Sequence, residues 1–204
     1  MRLGVFGGTF DPIHLGHLAA AEEAVHHFEL ERVLLAPARH QPLKERAPIA
    51  SNKDRLAMVE LAVADNPRFA VSALELERPT PSYTVDTLRL LRDHYGPSCD
   101  LYLLLGLDSV NSLDRWRAPE VLVRLARIVA MSRGGVREPA WTTLRSIAPD
   151  IRDRIHPLSV PDIDISSREL RARVAAGLPI RYQVPDAVRV YIEERRLYQI
   201  PGVG

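Results

Sequence analysis

Apolar positions along the chain switch repeatedly between two spacings. Short, nearly continuous apolar runs at 3–6, 32–36, 69–72, 101–105, 128–131 and 158–160 have the length and side-chain types of strands. The run at 101–105 carries no polar position at all, as expected of a parallel strand covered on both faces. Between these runs, apolar residues recur at helical spacing over 15–28, from Ser51 to about Asp65, through about Tyr95 after the 81–84 turn, and over 119–125. Ser51 is a predicted N-cap, and Asn66-Pro67 and Gly96-Pro97 are predicted stops. Only a short helix around 142–147 is legible between 133 and 155, and two helices, 167–176 and 186–195, close the chain.

Strands separated by helices predict right-handed crossovers and an α/β fold built on a doubly wound parallel sheet. Ligands in such folds lie at the carboxyl ends of strands. GGTFDP after the first strand, the loop after Pro37, Gly106–Asp108 and Ser132-Arg133 all fall at such ends, so the polar candidates converge on one edge of the sheet.

Composition narrows the class. With 204 residues, 46% of them hydrophobic, the chain suits one domain over 1–204, with 161–204 as its helical C-terminal part. A net charge of +1 gives no broad cationic surface for nucleic acid. No apolar run approaches the roughly 20 residues of a membrane helix, and GGTFDP interrupts any signal-peptide pattern. The single cysteine, Cys99, excludes an internal disulfide framework and suits a reducing cytoplasm. Oligomeric state is left open, a homo-oligomer included. The basic residues are 25 Arg and two Lys, so Lys44 and Lys53 stand out as compact point charges.

The chemistry concentrates in residues 7–18, GGTFDPIHLGHL. A strand, two glycines and a helix start put backbone N–H groups and the positive end of a helix dipole at one point, an arrangement that suits phosphates. Gly7 and Gly8 permit a tight turn or a close approach of ligand to backbone, and Asp11-Pro12 reads as a turn. His14 and His17 add donors if the helix begins near Leu15; on spacing alone they read more readily as polar capping residues. No Gly-Lys-Ser/Thr follows the glycines, and their spacing is not that of a dinucleotide fingerprint. A helical zinc pair would sit four apart with a third ligand nearby, so no metal site is expected on the protein.

A second signal is ISSRELR, 165–171. Ser166 and Glu169 form a capping-box pattern, which accounts for Ser166 but not for Arg168 and Arg171 in the first turn, where cations oppose the dipole. A polyphosphate would remove that conflict. PSYT at 81–84 precedes another helix, whose N-terminus favours an anion.

GGTFDPIHLGHL resembles the HxGH signature of the nucleotidyltransferase superfamily, in the version found in bacterial nicotinate-nucleotide adenylyltransferases. The resemblance implies a Rossmann-like fold and places Gly7, Gly8, Thr9, Phe10, His14 and His17 against ATP. ISSRELR is similar to the family's ISSTxxR motif: Ser166, Ser167 and Arg171 match, and Arg168 stands where Thr or Ser is usual. HQPLK, 40–44, is similar to PPHK, with Lys44 matching and Leu43 in place of His. By the same resemblance, Gly106 and Asp108 touch the adenosine and Arg133 lies near the adenine. Tyr83 and Thr84 offer backbone groups to a nicotinate carboxylate, and Trp116 packs on its ring. The likeness runs from Gly7 to about Arg171, and RRLY at 195–198 also has the family's look.

What the resemblance implies is transfer of AMP from ATP, with Mg²⁺, to nicotinate mononucleotide, giving deamido-NAD and pyrophosphate in NAD biosynthesis. His14, His17, Lys44 and Arg171 would be the catalytic set. Two other readings stand beside it. One is a sibling of the superfamily, such as pantetheine-phosphate adenylyltransferase, against which PSYT with a downstream Trp argues. The other is a non-catalytic nucleotide-binding module, against which the intact His14, His17 and Arg171 argue.

Overall fold

The computed structural model of the protein describes residues 1–39, 47–78 and 83–199. Six strands, β1 (Arg2–Gly8), β2 (Arg32–Pro37), β3 (Phe69–Val71), β4 (Asp100–Gly106), β5 (Arg127–Arg133) and β6 (Ile155–Val160), form one parallel sheet in the order β3-β2-β1-β4-β5-β6. The predicted doubly wound α/β fold is therefore the observed one. β1 is central, with Leu3 opposite Arg32 on β2 and Leu101 on β4. The chain winds outward from β1 to β3, then returns to β4 on the other side of β1. That reversal opens a crevice at the carboxyl ends of β1 and β4, where neighbouring crossovers lie on opposite faces.

Helices α1 (Leu15–Phe28), α2 (Asn52–Val63), α7 (Ser167–Ala175) and α8 (Asp186–Glu194) bury apolar residues with Phe6, Val33, Leu35, Leu104 and Val129. Helices α3 (Thr84–Tyr95) and α5 (Pro119–Leu125) bury theirs with Leu3, Val5, Leu34, Leu101, Leu103 and Ile128. Successive strand residues point to opposite faces, so the uninterrupted apolar runs supply two cores at once. Ser51 caps α2 as predicted, its Oγ accepting from Asp54 N at 3.1 Å.

The region from 133 to 155 resolves into short pieces. They include α6 (Trp141–Leu144) and a 3₁₀ turn at Ile151–Asp153; earlier, α4 (Leu107–Val110) and a turn at Leu113–Arg115 follow β4. None is long enough to show a helical period. β6 starts at Ile155 rather than 158, because His156 and Pro157 break the apolar pattern that marked it. Proline is tolerated there because β6 is the sheet edge and one ladder bond fewer is needed.

Leu101, 1% exposed, packs in the core on the α3–α5 side at the end of β4 remote from the crevice. Leu101→Ala should lower the unfolding free energy by about 2–5 kcal/mol. Leu90→Ala, at a position 43% exposed, should cost much less; urea denaturation of the two variants checks the contrast.

Candidate active site

Gly7 and Gly8 are the last two residues of β1, extended rather than folded into a tight turn. The tight-turn alternative is therefore not the one observed at these two positions. A Cβ on Gly8 would lie 2.8 Å from the Phe10 ring, while nothing lies within 4 Å of one on Gly7. The turn comes later, at Phe10, whose φ of 46° is in the left-handed region, and at Asp11 and Pro12. Phe10 is fully buried, and its ring meets that of His17 edge-on at 5.2 Å.

α1 begins at Leu15, as the donor reading of the histidines required. His14 is its N-cap residue, and its backbone N–H donates to Nδ1 of His17 at 3.3 Å. An accepting Nδ1 leaves the ring proton of neutral His17 on Nε2. The two rings stack at 3.7 Å. His14 is buried, with no hydrogen-bond partner for Nδ1. Burial, with a smaller push from the Arg133 guanidinium, lowers its pKa to about 4, so it is a neutral imidazole at pH 7. Gly16 between the histidines is also a packing requirement: a Cβ there would come within 3.2 Å of the His14 ring. The two residues are thus tied together at the start of the helix, His14 as its N-cap residue and His17 in its first turn.

Asp11, read as a turn residue from sequence, is the hub of the loop. Its buried carboxylate accepts from Ile49 N at 2.8 Å, Ala50 N at 3.1 Å and the Tyr198 phenol at 2.7 Å. Arg171 Nη1 stands 3.8 Å from Oδ2 and donates to the Asp11 carbonyl at 2.5 Å. Beneath lies Arg55, wholly buried, which donates to Thr9 O and Asn52 Oδ1, each at 2.7 Å. Sequence did carry a signal for Arg55: it shares the buried face of α2 with Met58, Val59, Ala62 and Val63, a charge at an apolar position.

The start of α7 closes on the same loop. Ser166 caps it, accepting from Glu169 N at 3.2 Å. Ser167 Oγ donates to Pro12 O at 2.9 Å. Arg171 is partly buried beside Asp11, whereas Arg168 is exposed. The 165–171 segment and the 7–18 segment thus meet through Ser167 and Arg171.

A cavity of about 240 Å³ opens beside this loop. It is lined by Gly7, Gly8, Gly106, Tyr83, Thr84 and Trp116, among others, so these six predicted residues do share one site. Tyr83 is the N-cap residue of α3, and its own side chain makes no cap hydrogen bond. The Arg117 guanidinium lies 4.5 Å above the Tyr83 ring. Arg117, Arg115, Ser109, Ser112 and buried Glu75 line the cavity and were not singled out from sequence. Glu75 accepts from Thr87 Oγ1 at 2.9 Å. Asp108 is in the first turn of α4, exposed, with Gly106 rather than itself as the N-cap. Arg133 ends β5 and acts on His14 through its charge. Lys44, Leu43, Pro81 and Ser82 lie outside the described residues.

A parallel sheet with a glycine-ended central strand, and two helix starts converging beyond it, defines a protein of the α/β nucleotide-binding class. The cytidylyltransferase-like family profile matches residues 5–173. A Roseiflexus castenholzii protein named probable nicotinate-nucleotide adenylyltransferase is 51% identical, over 97% of this chain and 98% of its own. One so named from Symbiobacterium thermophilum is 44% identical, over 97% and 95%. The chain belongs to the nicotinate-nucleotide adenylyltransferase family of cytidylyltransferase-like proteins. Its fold is that of the Plasmodium falciparum nicotinic acid mononucleotide adenylyltransferase. The structure of that protein complexed with APC superposes with a TM-score of 0.75 at 18% identity, covering 97% of this chain and 96% of the other. The same protein complexed with NaAD gives 0.73 at 19%, covering 97% of each.

His14 carries a pH dependence whose sign follows from burial. Its folded pKa of about 4 is below the ordinary 6.5, so the unfolded chain binds the proton more readily. The stability it contributes is complete above pH 6.5 and is lost as pH falls towards 4, by up to about 3 kcal/mol. Urea denaturation at pH 7.5 and 4.5 should show that loss, and His14→Gln should flatten it.

Proposed function

We propose that this chain transfers AMP from ATP to nicotinate mononucleotide, with the triphosphate bound between the 7–18 and 165–171 segments. The acceptor would occupy the cavity at the start of α3. The observation that carries this reading is the meeting of His14, His17, Ser167 and Arg171 around one loop, beside a cavity lined by the start of α3.

The reaction asks little covalent chemistry of the protein. An oxygen of the mononucleotide phosphate, already an anion, attacks the α-phosphorus of ATP. A bond forms there as the bond from that phosphorus to the α,β-bridging oxygen breaks, and pyrophosphate leaves with the electron pair. No general base is required. The protein's task is in-line positioning and stabilisation of charge on the α-phosphate and the leaving group. His17, with its proton on Nε2, is suited to donate without changing charge, and His14 is suited likewise because burial keeps it neutral. Arg171 supplies full charge from the α7 side, and Lys44 would add a second cation. Thr9 and Phe10 would shape the wall under the phosphates, and Gly106, Asp108 and Arg133 would flank the adenosine. Ser166 would act through the helix start it caps.

Mg²⁺ would enter as part of the substrate, on the oxygens of ATP. Among the described residues no group of three or more His, Cys, Asp or Glu side chains is placed to hold a metal. Asp11, near the histidines, is already engaged by two backbone N–H groups and a phenol. No helix among the described residues is long and apolar enough to cross a membrane. We place the enzyme in the cytoplasm, as one domain with 161–204 as its helical end, and leave a homo-oligomer open.

Pyrophosphate release from ATP should require nicotinate mononucleotide; release only with phosphopantetheine would move the chain to the sibling family. The first N–H groups of α3 should favour an acceptor carboxylate over a carboxamide, so kcat/KM should be higher for the acid than for the amide mononucleotide. His17→Ala should raise the barrier by about 2–4 kcal/mol, comparable to loss of an oxyanion donor, and near-normal turnover would remove His17 from the catalytic set.

A further inference from the structure

We propose that Tyr198 is a positioning residue for ATP: its phenol holds the Asp11 carboxylate, and through it Arg171 and the 49–50 backbone, in the geometry that receives the triphosphate. This rests on reading His14, His17 and Arg171 as the triphosphate site.

The chain of contacts is short. Tyr198 Oη donates to Asp11 Oδ1 at 2.7 Å, across 187 residues of sequence. The same oxygen accepts from Ala50 N, and Oδ2 accepts from Ile49 N. Arg171 sits 3.8 Å from Oδ2 and bonds the carbonyl of the same residue. Asp11 pairs with Arg171 and is three residues before His14, so its charge bears on the guanidinium that would receive the polyphosphate. A bare buried carboxylate there would repel the substrate and compete for Arg171. Every donor that Asp11 accepts from reduces that competition and leaves the guanidinium available to phosphate.

The C-terminal segment is built to deliver this phenol. Arg196 and Tyr198 both adopt left-handed backbone, φ 51° and 64°, although neither is glycine. Such strain persists only where surrounding contacts fix it. Leu197 N bonds Ile192 O at 3.0 Å, and Leu197 and Tyr198 pack against the core on the α1–α2 side. Burial and the adjacent Asp11 raise the phenol's pKa, so it stays a donor over the working pH range. The RRLY string at 195–198 thereby acquires a role in the site.

The test compares the full-length wild type with Tyr198→Phe, which keeps the ring and removes the donor. Tyr191→Phe is the control: it deletes a similar phenol–carboxylate bond, 2.9 Å to Asp54, on the same C-terminal part. The readouts are ATP affinity by calorimetry, KM for each substrate and the urea midpoint. Tyr198→Phe should weaken ATP binding, and raise KM for ATP, by about tenfold, the scale of one hydrogen bond to a charged group. KM for nicotinate mononucleotide should stay within about twofold, and Tyr191→Phe should leave ATP affinity unchanged. In Asp11→Asn, where the charge is gone, adding Tyr198→Phe should change ATP affinity much less than it does in the wild type. Wild-type ATP affinity in Tyr198→Phe overturns this inference alone. Equal weakening of both substrates with a fallen urea midpoint also overturns it, since that is the signature of general loosening. A wild type that binds no ATP overturns the functional reading and this inference together.

Discussion

A buried carboxylate organises the catalytic end of this protein. Asp11 is 3% exposed, and an ion so placed costs several kcal/mol unless it is met by donors and opposite charge. Its partners come from four parts of the chain: the backbone at 49 and 50, Arg171 on α7, Tyr198 beyond α8, and the field of Arg55 on α2. None of these can leave without exposing the cost of the others. The loop between β1 and α1 is therefore held by charge satisfaction rather than by regular secondary structure, and Arg171 and the start of α7 are held with it.

The histidines show how the same burial shapes the chemistry. A cationic pair would attract ATP more strongly but would have to be stabilised in a low-dielectric pocket when empty. His14 is instead neutral, and His17 is oriented by a backbone N–H on its Nδ1. In the proposed reaction, donors aimed in advance would stabilise a developing charge without a change of protonation state. Full positive charge is carried by Arg171, which Asp11 compensates at 3.8 Å. In the proposed reaction this division would separate orientation from charge, and the nucleophile, already ionised, needs no general base.

The sheet supplies the frame. Because the winding reverses at β1, the ends of β1 and β4 face open space, and the glycines at both ends keep that space unfilled. On one side of β1 stands the histidine loop with α7. On the other, the start of α3 meets the turn that carries Trp116. The histidine loop and the cavity at the start of α3 thus flank a single strand end, as the proposed transfer between two substrates would require.

Much of this was legible in the amino-acid order. Continuous apolar runs gave the parallel sheet, because a strand covered on both faces has no polar positions to interrupt it. The helix starting at Leu15 and the caps at Ser51 and Ser166 were readable because they depend on neighbours a few residues away. Pro157 hid the start of β6, since local pattern cannot say that a strand lies on the sheet edge. Asp11 read only as a turn and Tyr198 only as part of a familiar string, although they meet at 2.7 Å. A contact across 187 residues leaves no periodic trace. The chain's order by itself determined the layers, the crevice and the residue types gathered at its mouth. Tertiary structure alone decided which charges are buried together, and so which histidine is neutral and what holds the arginine in place.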